Sequence, residues 1–223
     1  MPIAADEPAR DARSTFSLLR FFMTPWVDKT IAILACLPFV VALYLRIRAS
    51  GFDLPRVVVV INVFVLVATM ISRRVPTRIT PNPLFWLLAF VSVYWWLAAA
   101  TLAPRGRPLL PNWGTNMIAI STLIIQLWAR LSLGRNIGLV PAQRQIVTHG
   151  AYRYMRHPIY TGTLLSYFGV VLRSYSSSSV VLFSLGIIWT VIKSLVEESF
   201  LRADPQYAAY LQRVRWRWIP GIV

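Results

Sequence analysis

The feature that most constrains this chain is a run of 20 residues, Leu84 to Ala103, that carries no charge. About 20 apolar residues cross the hydrocarbon core of a bilayer as a helix. Five further apolar runs share the chain with it: Thr30–Leu45, Val57–Ile71, Asn116–Leu133, Ile159–Leu172 and Val180–Val196. The β-branched stretch Val57–Ile61 would favour a strand in water. In lipid, every backbone group must bond within the protein, so an open segment there is helical. Hydrophobic residues make up 57% of the chain and charged residues only 14%, and soluble domains are closer to about 45–50% apolar. These values exclude an ordinary soluble globule and a disordered polyelectrolyte alike. The single cysteine, Cys36, excludes an internal disulfide and a cysteine-rich metal site. The expectation is an all-α fold: a polytopic membrane bundle of about five to six transmembrane helices.

Charge supplies the orientation. The formal net charge is +15, from 23 Lys and Arg against 8 Asp and Glu. Because the basic residues punctuate the apolar runs, they suit an anionic membrane surface rather than nucleic acid. With the N-terminus inside, 17 of them fall in cytoplasmic segments and 6 (Arg46, Arg48, Arg56, Arg105, Arg107 and Arg173) outside. The positive-inside rule then predicts a multi-pass protein with both termini in the cytoplasm. It also puts segments 134–158 and 197–223 on the same cytoplasmic side. Residues 1–28 read as a cytoplasmic or interfacial tail without the order of a signal peptide. Residues 29–115 read as N-terminal transmembrane helices, and residues 116–223 hold the unusual chemistry.

Two segments carry that chemistry. Residues 134–162, GRNIGLVPAQRQIVTHGAYRYMRHPIYTG, are polar, basic and punctuated by glycine, and loops of this length are commonly functional. Pro158 suits the first turn of a helix, where its missing N–H costs nothing. His157, Tyr160 and Gly162 then gather at a helix N-terminus near the membrane surface, and Gly162 permits a close approach. The second segment opens with Glu197-Glu198, two carboxylates closing an apolar helix. An acid at that depth is paired or functional. Asp204-Pro205 starts another helix, with Asp as the cap and Pro at the first position; Tyr207, Tyr210 and Arg213 follow at intervals of three.

The pattern G-x-Y-x-x-x-RHPxYxG, then EExxL, then Y-x-x-Y-x-x-R-V and a terminal PG resembles the isoprenylcysteine carboxyl methyltransferase family. That family is grouped with the phospholipid methyltransferases among integral membrane enzymes. The resemblance covers roughly residues 117–223 and includes Leu133–Asn136 and Ile146–Gly150. It implies a cytosolic pocket for S-adenosyl-L-methionine, formed by the C-terminal half. By the matching positions, Ile146 and Val147 lie against the adenine, and His157, Tyr160 and Gly162 surround the ribose and methionine part. Glu197 and Glu198 are the matching acids. A sulfonium and an amino group favour nearby carboxylates and an aromatic face. The tail arginine maps to Arg213, with Arg215 the neighbouring alternative, where a guanidinium could clamp an acceptor carboxylate. The implied acceptor is lipophilic, an isoprenylcysteine-like carboxylate or another prenylated or small lipid molecule, and membrane lipids surround the protein. For a phospholipid amine, Glu198 or Tyr210 would serve as base.

Other readings remain open at this stage. A membrane reductase of the sterol-reductase type, using NADPH, shares features of the C-terminal half. A transporter or scaffold is disfavoured because the polar residues gather at one membrane edge instead of along a midplane path. Two histidines and one cysteine give no metal-ligand set, so no metal is expected. His149 reads as a plain loop residue. Gln126 and Arg130, inside an apolar run, line an acceptor cavity or, for Arg130, snorkel to the surface.

Overall fold

The computed structural model describes residues 19–50, 54–104 and 106–222. Arg10 and Arg13 of the orientation argument lie outside the described residues, as do the side chains of Arg46, Arg56 and Arg105. Each apolar run forms a helix, and most helices extend past the run on polar residues: α1 Pro25–Ser50, α2 Leu54–Ser72, α3 Pro83–Leu102, α4 Asn112–Leu133, α5 Pro158–Arg173 and α6 Ser177–Leu201. A short α7, Pro205–Arg213, follows. The all-α expectation holds, with a single two-stranded exception among the described residues.

Local chemistry sets the helix starts. Asn82 caps α3 by accepting from Leu84 N, and Pro83 takes the first position. Ser176 caps α6 through Ser179 N, which assigns a role to the serine run 176–179. Asp204 caps α7 through Gln206 N, with Pro205 following. Pro158 begins α5 directly after His157. The three side-chain caps each satisfy an N–H that helix geometry leaves without a partner, and Pro158 has no N–H to satisfy.

Three segments, Pro25–Leu45, Asn112–Asn136 and Ser177–Leu201, are long and apolar enough to cross a bilayer by length and composition; Val57–Ser72 and Pro83–Ala99 are shorter apolar helices. Burial follows the same logic. Phe64, Leu84, Ile124, Leu131 and Phe168 are more than half exposed, while Asp28, Arg73, Gln126, Arg130, Lys193 and Glu198 are buried. Large apolar groups outside and charges inside is the inverse of a water-soluble fold and suits a lipid surround.

Two antiparallel connections define the ends of the bundle. At one end, Arg107 and Tyr175 exchange backbone hydrogen bonds (3.0 and 2.8 Å). At the other, β1 (Arg78–Ile79) pairs with β2 (Ala142–Gln143), tying the α2–α3 loop to segment 134–158. That same end holds the C-terminal tail, since Arg156 N–H donates to Trp216 O and His157 N–H to Arg217 O. The basic segments assigned to one side of the membrane therefore meet at one end of the molecule. The ion pair between Arg73 and Asp28 (2.7 Å) adds α1 to this end.

Within the bundle, Tyr167, Phe183 and Ala99 form a core with Trp95 and Trp96 around them. Gly186 permits this packing: a Cβ there would sit 2.6 Å from Tyr167 Cζ. Trp95 Nε1 donates to Leu182 O at 2.7 Å and Tyr94 Oη to Ala35 O at 2.9 Å. The Tyr94–Trp96 cluster is thus a packing element between helices.

Candidate active site

A cavity of about 600 Å³ opens between the helices, a volume typical of ligand sites. At one end it is polar, lined by Ile146, Val147, Tyr152, His157, Tyr160 and Glu197. From there it climbs beside α4, which lines it from Arg130 to Thr115. Those sixteen residues span about 22 Å at the rise of an α-helix, more than one leaflet of roughly 15 Å. Its upper walls come from α1, α2, α3 and α5, among them Phe39, Val63, Val93 and Val170.

Of the expected site residues, five face this space: Ile146, Val147, His157, Tyr160 and Glu197. Tyr160 Oη donates to Glu197 Oε1 at 2.7 Å. The His157 and Tyr160 rings stack, 5.4 Å between centroids and 23° between planes. The expected clustering of the polar loop with the acidic helix end is therefore present in the structure.

Three others lie elsewhere. Glu198 is fully buried and does not line the cavity. Its carboxylate meets His157 Nε2 at 3.2 Å, Arg217 Nε at 3.3 Å, Arg156 Nη1 at 3.5 Å and Arg202 Nη2 at 3.6 Å. With Arg156 Nε donating to Val214 O and Thr161 Oγ1 to Trp218 O, the tail is fastened beneath the loop. Gly162 accommodates Gln126 rather than open space: a Cβ would lie 2.4 Å from Gln126 Cγ. Its small size brings α5 close to α4 and sets Gln126 on the cavity wall. Arg213 is exposed on α7 and stands outside the cavity lining.

The guanidinium that does reach the cavity from within the membrane run is Arg130's. It is buried, and its Nε and Nη1 have no hydrogen-bond partner among the described residues. Buried charges ordinarily find partners, so an orphaned guanidinium on a cavity wall points to something that enters. Lys193 of α6 is also buried on this wall, 3.9 Å from Glu197 Oε1. The sequence carried a signal for Lys193, a lone cation one helical turn before Glu197 in an apolar run. It held none for Arg217, whose role depends on where the tail folds back.

Three tyrosines close the polar end. Tyr210 Oη donates to Tyr152 O at 2.8 Å. Burial raises the pKa of Tyr152, Tyr207 and Tyr210 above the ordinary phenol value; Tyr210 in Tyr152's case, and Glu198 for the other two, act in the same direction. Arg156 works against the shift in Tyr210. Among the described residues, no group of three His, Cys, Asp or Glu side chains could hold a metal ion.

Fold and cavity together define a membrane helical bundle whose α4–α7 region carries a known pattern: residues 112–207 match the family described as phospholipid methyltransferase. The resemblance read from the motifs falls on the same region. More particularly, the chain is similar to two curated proteins, each a probable protein-S-isoprenylcysteine O-methyltransferase, from Oryza sativa subsp. indica and Oryza sativa subsp. japonica. Identity is 37% over 76 residues, which is 32% of this chain and 39% of each relative. The match thus spans well under half the length of those relatives.

Proposed function

We propose that this protein is an integral membrane methyltransferase that uses S-adenosylmethionine to methylate the carboxylate of a lipophilic, isoprenylcysteine-like acceptor. The observation that carries this reading is the orphaned, buried Arg130 guanidinium, on the wall of a cavity with Glu197 at its polar end and apolar side chains along its length. The donor set fits the cofactor: aromatic faces, small apolar side chains and one carboxylate suit a nucleoside joined to two cationic groups. Bound there, S-adenosylmethionine would supply an activated methyl group on sulfur.

The residues of this chain then bind, orient and exclude water. Ile146 and Val147 offer an apolar face for the adenine. The stacked His157 and Tyr160 rings, with Glu197 held by Tyr160, form the polar wall. Arg130 orients the acceptor carboxylate through two-pronged hydrogen bonding. A carboxylate acceptor needs no proton removed, so alignment is the main requirement. Among the described residues one acid, Glu197, faces the cavity, against cationic Arg130, Arg144, Arg156, Arg173 and Lys193. That balance favours an anionic acceptor over the amine of a phospholipid, the second reading that the family match supports. In this reading the polar end faces the cytoplasm, because the basic loops and tail gather there.

The test is incubation of membranes containing the protein with methyl-labelled donor, offering a prenylated cysteine with a free carboxylate and, separately, phosphatidylethanolamine. Base-labile label on the prenylated cysteine, lost in Arg130→Gln, is the expected result. Label on phosphatidylethanolamine alone would favour the amine reading. Binding of NADPH without binding of S-adenosylhomocysteine would overturn the methyltransferase reading.

A further inference from the structure

Lys193 is the feature of the cavity that the reading above leaves without a task. It sits in the apolar helix α6, buried, with its ammonium directed to the cavity wall. A charge at such a position is costly and marks function by default. Its acidic neighbour is Glu197, four residues on. The 3.9 Å separation is an ion pair without a hydrogen bond. Lysine before glutamate at this spacing is also the weaker orientation for a helix pair. The ammonium lies 5.5 Å from the centroid of the Tyr160 ring, whose hydroxyl is already bonded to Glu197. Taken as structure alone, this is a poorly satisfied buried pair, and imperfect pairs of this kind do not repay their desolvation.

The arrangement becomes complete with a zwitterion beside it. An α-amino acid carries an ammonium and a carboxylate on one carbon. Lys193 and Glu197 present the opposite charges side by side on one helix face, both lining the cavity. Of the two acids at this helix end, Glu198 is committed to His157, Arg156 and Arg217, so only Glu197 is free to meet an ammonium. Of the cavity cations, only Lys193 is in an ion pair with Glu197. We propose that Lys193 is a binding residue for the α-carboxylate of the methyl donor's amino-acid end, paired with Glu197 for its α-ammonium. This assignment rests on the S-adenosylmethionine reading and adds to it a site for the carboxylate. It leaves Arg130 to the acceptor and predicts that two carboxylates, one from each substrate, are held by separate cations.

Ligand truncation tests this by binding rather than turnover. Calorimetry on detergent-purified protein would compare S-adenosylhomocysteine, its decarboxylated analogue and 5′-methylthioadenosine, which lacks both charged groups. Lys193→Met should weaken S-adenosylhomocysteine roughly ten- to a hundredfold, the value of a lost charge-assisted hydrogen bond. It should leave 5′-methylthioadenosine and the decarboxylated analogue within about twofold, a difference near the resolution of such measurements. Lys193→Arg should restore most of the affinity. Glu197→Gln should reduce binding of both amine-bearing ligands and spare 5′-methylthioadenosine. Unchanged binding of 5′-methylthioadenosine also reports that each variant is folded. Equal losses on all three ligands, or no loss on S-adenosylhomocysteine, would overturn the assignment of Lys193 alone. Wild-type protein that binds none of the three would overturn the donor reading and this inference with it.

Discussion

Replacing Glu198 by glutamine should destabilise the protein by about 2–4 kcal/mol. The side chain is 2% exposed, and its carboxylate faces His157, Arg156, Arg217 and Arg202. Glutamine retains the volume and one acceptor but removes the only anion of the cluster. Breaking a buried pair from one side costs about 3–5 kcal/mol, and a retained neutral hydrogen bond returns about 1 kcal/mol. Arg202 adds little, being 57% exposed. The loss thus falls on His157 and Arg156, both at most 12% exposed. Because these residues also bond the tail backbone at Trp216 and Arg217, the variant should loosen residues 214–218 as well. Equilibrium unfolding in detergent, followed by tryptophan emission, measures the first effect. Trypsin cleavage in the tail measures the second. A loss below about 1 kcal/mol with unchanged cleavage would refute the view of Glu198 as the fastening between helix α6 and the tail.

Gly162→Ala should push the Gln126 side chain off the cavity wall, since the new Cβ would stand 2.4 Å from its Cγ. Overpacking of this kind costs about 1–3 kcal/mol, read as a lower midpoint in the same unfolding assay. Asp28→Asn should cost about 2–4 kcal/mol by the same reckoning, because both carboxylate oxygens are bonded to Arg73, at 2.7 and 3.0 Å. The double variant with Arg73→Met should recover part of that loss. The three tyrosines Tyr152, Tyr207 and Tyr210 stay protonated in the fold above their unfolded value of 10.0. Their contribution is therefore complete below pH 10 and declines as pH rises beyond it. Ultraviolet titration should find them silent until the protein unfolds, and early ionisation of all three would contradict their burial.

Much of this was legible because the signals are local. Pro158 and the Asp204–Pro205 cap act within one turn of helix, the uncharged run from Leu84 is one unbroken stretch, and each lies where the sequence implies. The meeting of Tyr160 with Glu197 was legible for another reason: two polar segments flank an antiparallel helix pair and must share an end. What could not be read depends on side-chain direction. Two adjacent glutamates on a helix point about 100° apart, so Glu197 faces the cavity while Glu198 faces the tail. Sequence spacing alone treats them alike. Arg213 likewise sits in the expected helix, yet its azimuth on α7 carries it outward. Gly162 signalled a close approach correctly, but the approaching group is Gln126 of a neighbouring helix.

The upper cavity is walled partly by Cys36 and Phe39 of α1 and by Asn62 and Val63 of α2, all upstream of the matched segment 112–207. In the function proposed above, the acceptor's hydrocarbon tail is therefore met partly by a stretch of polypeptide outside the segment that would hold the donor. On that proposal, exchanging the first two helices should retune which hydrocarbon is accepted while leaving binding of the methyl donor unchanged. A chain divided in this way could take on new hydrocarbons while the residues proposed for the chemistry stay as they are.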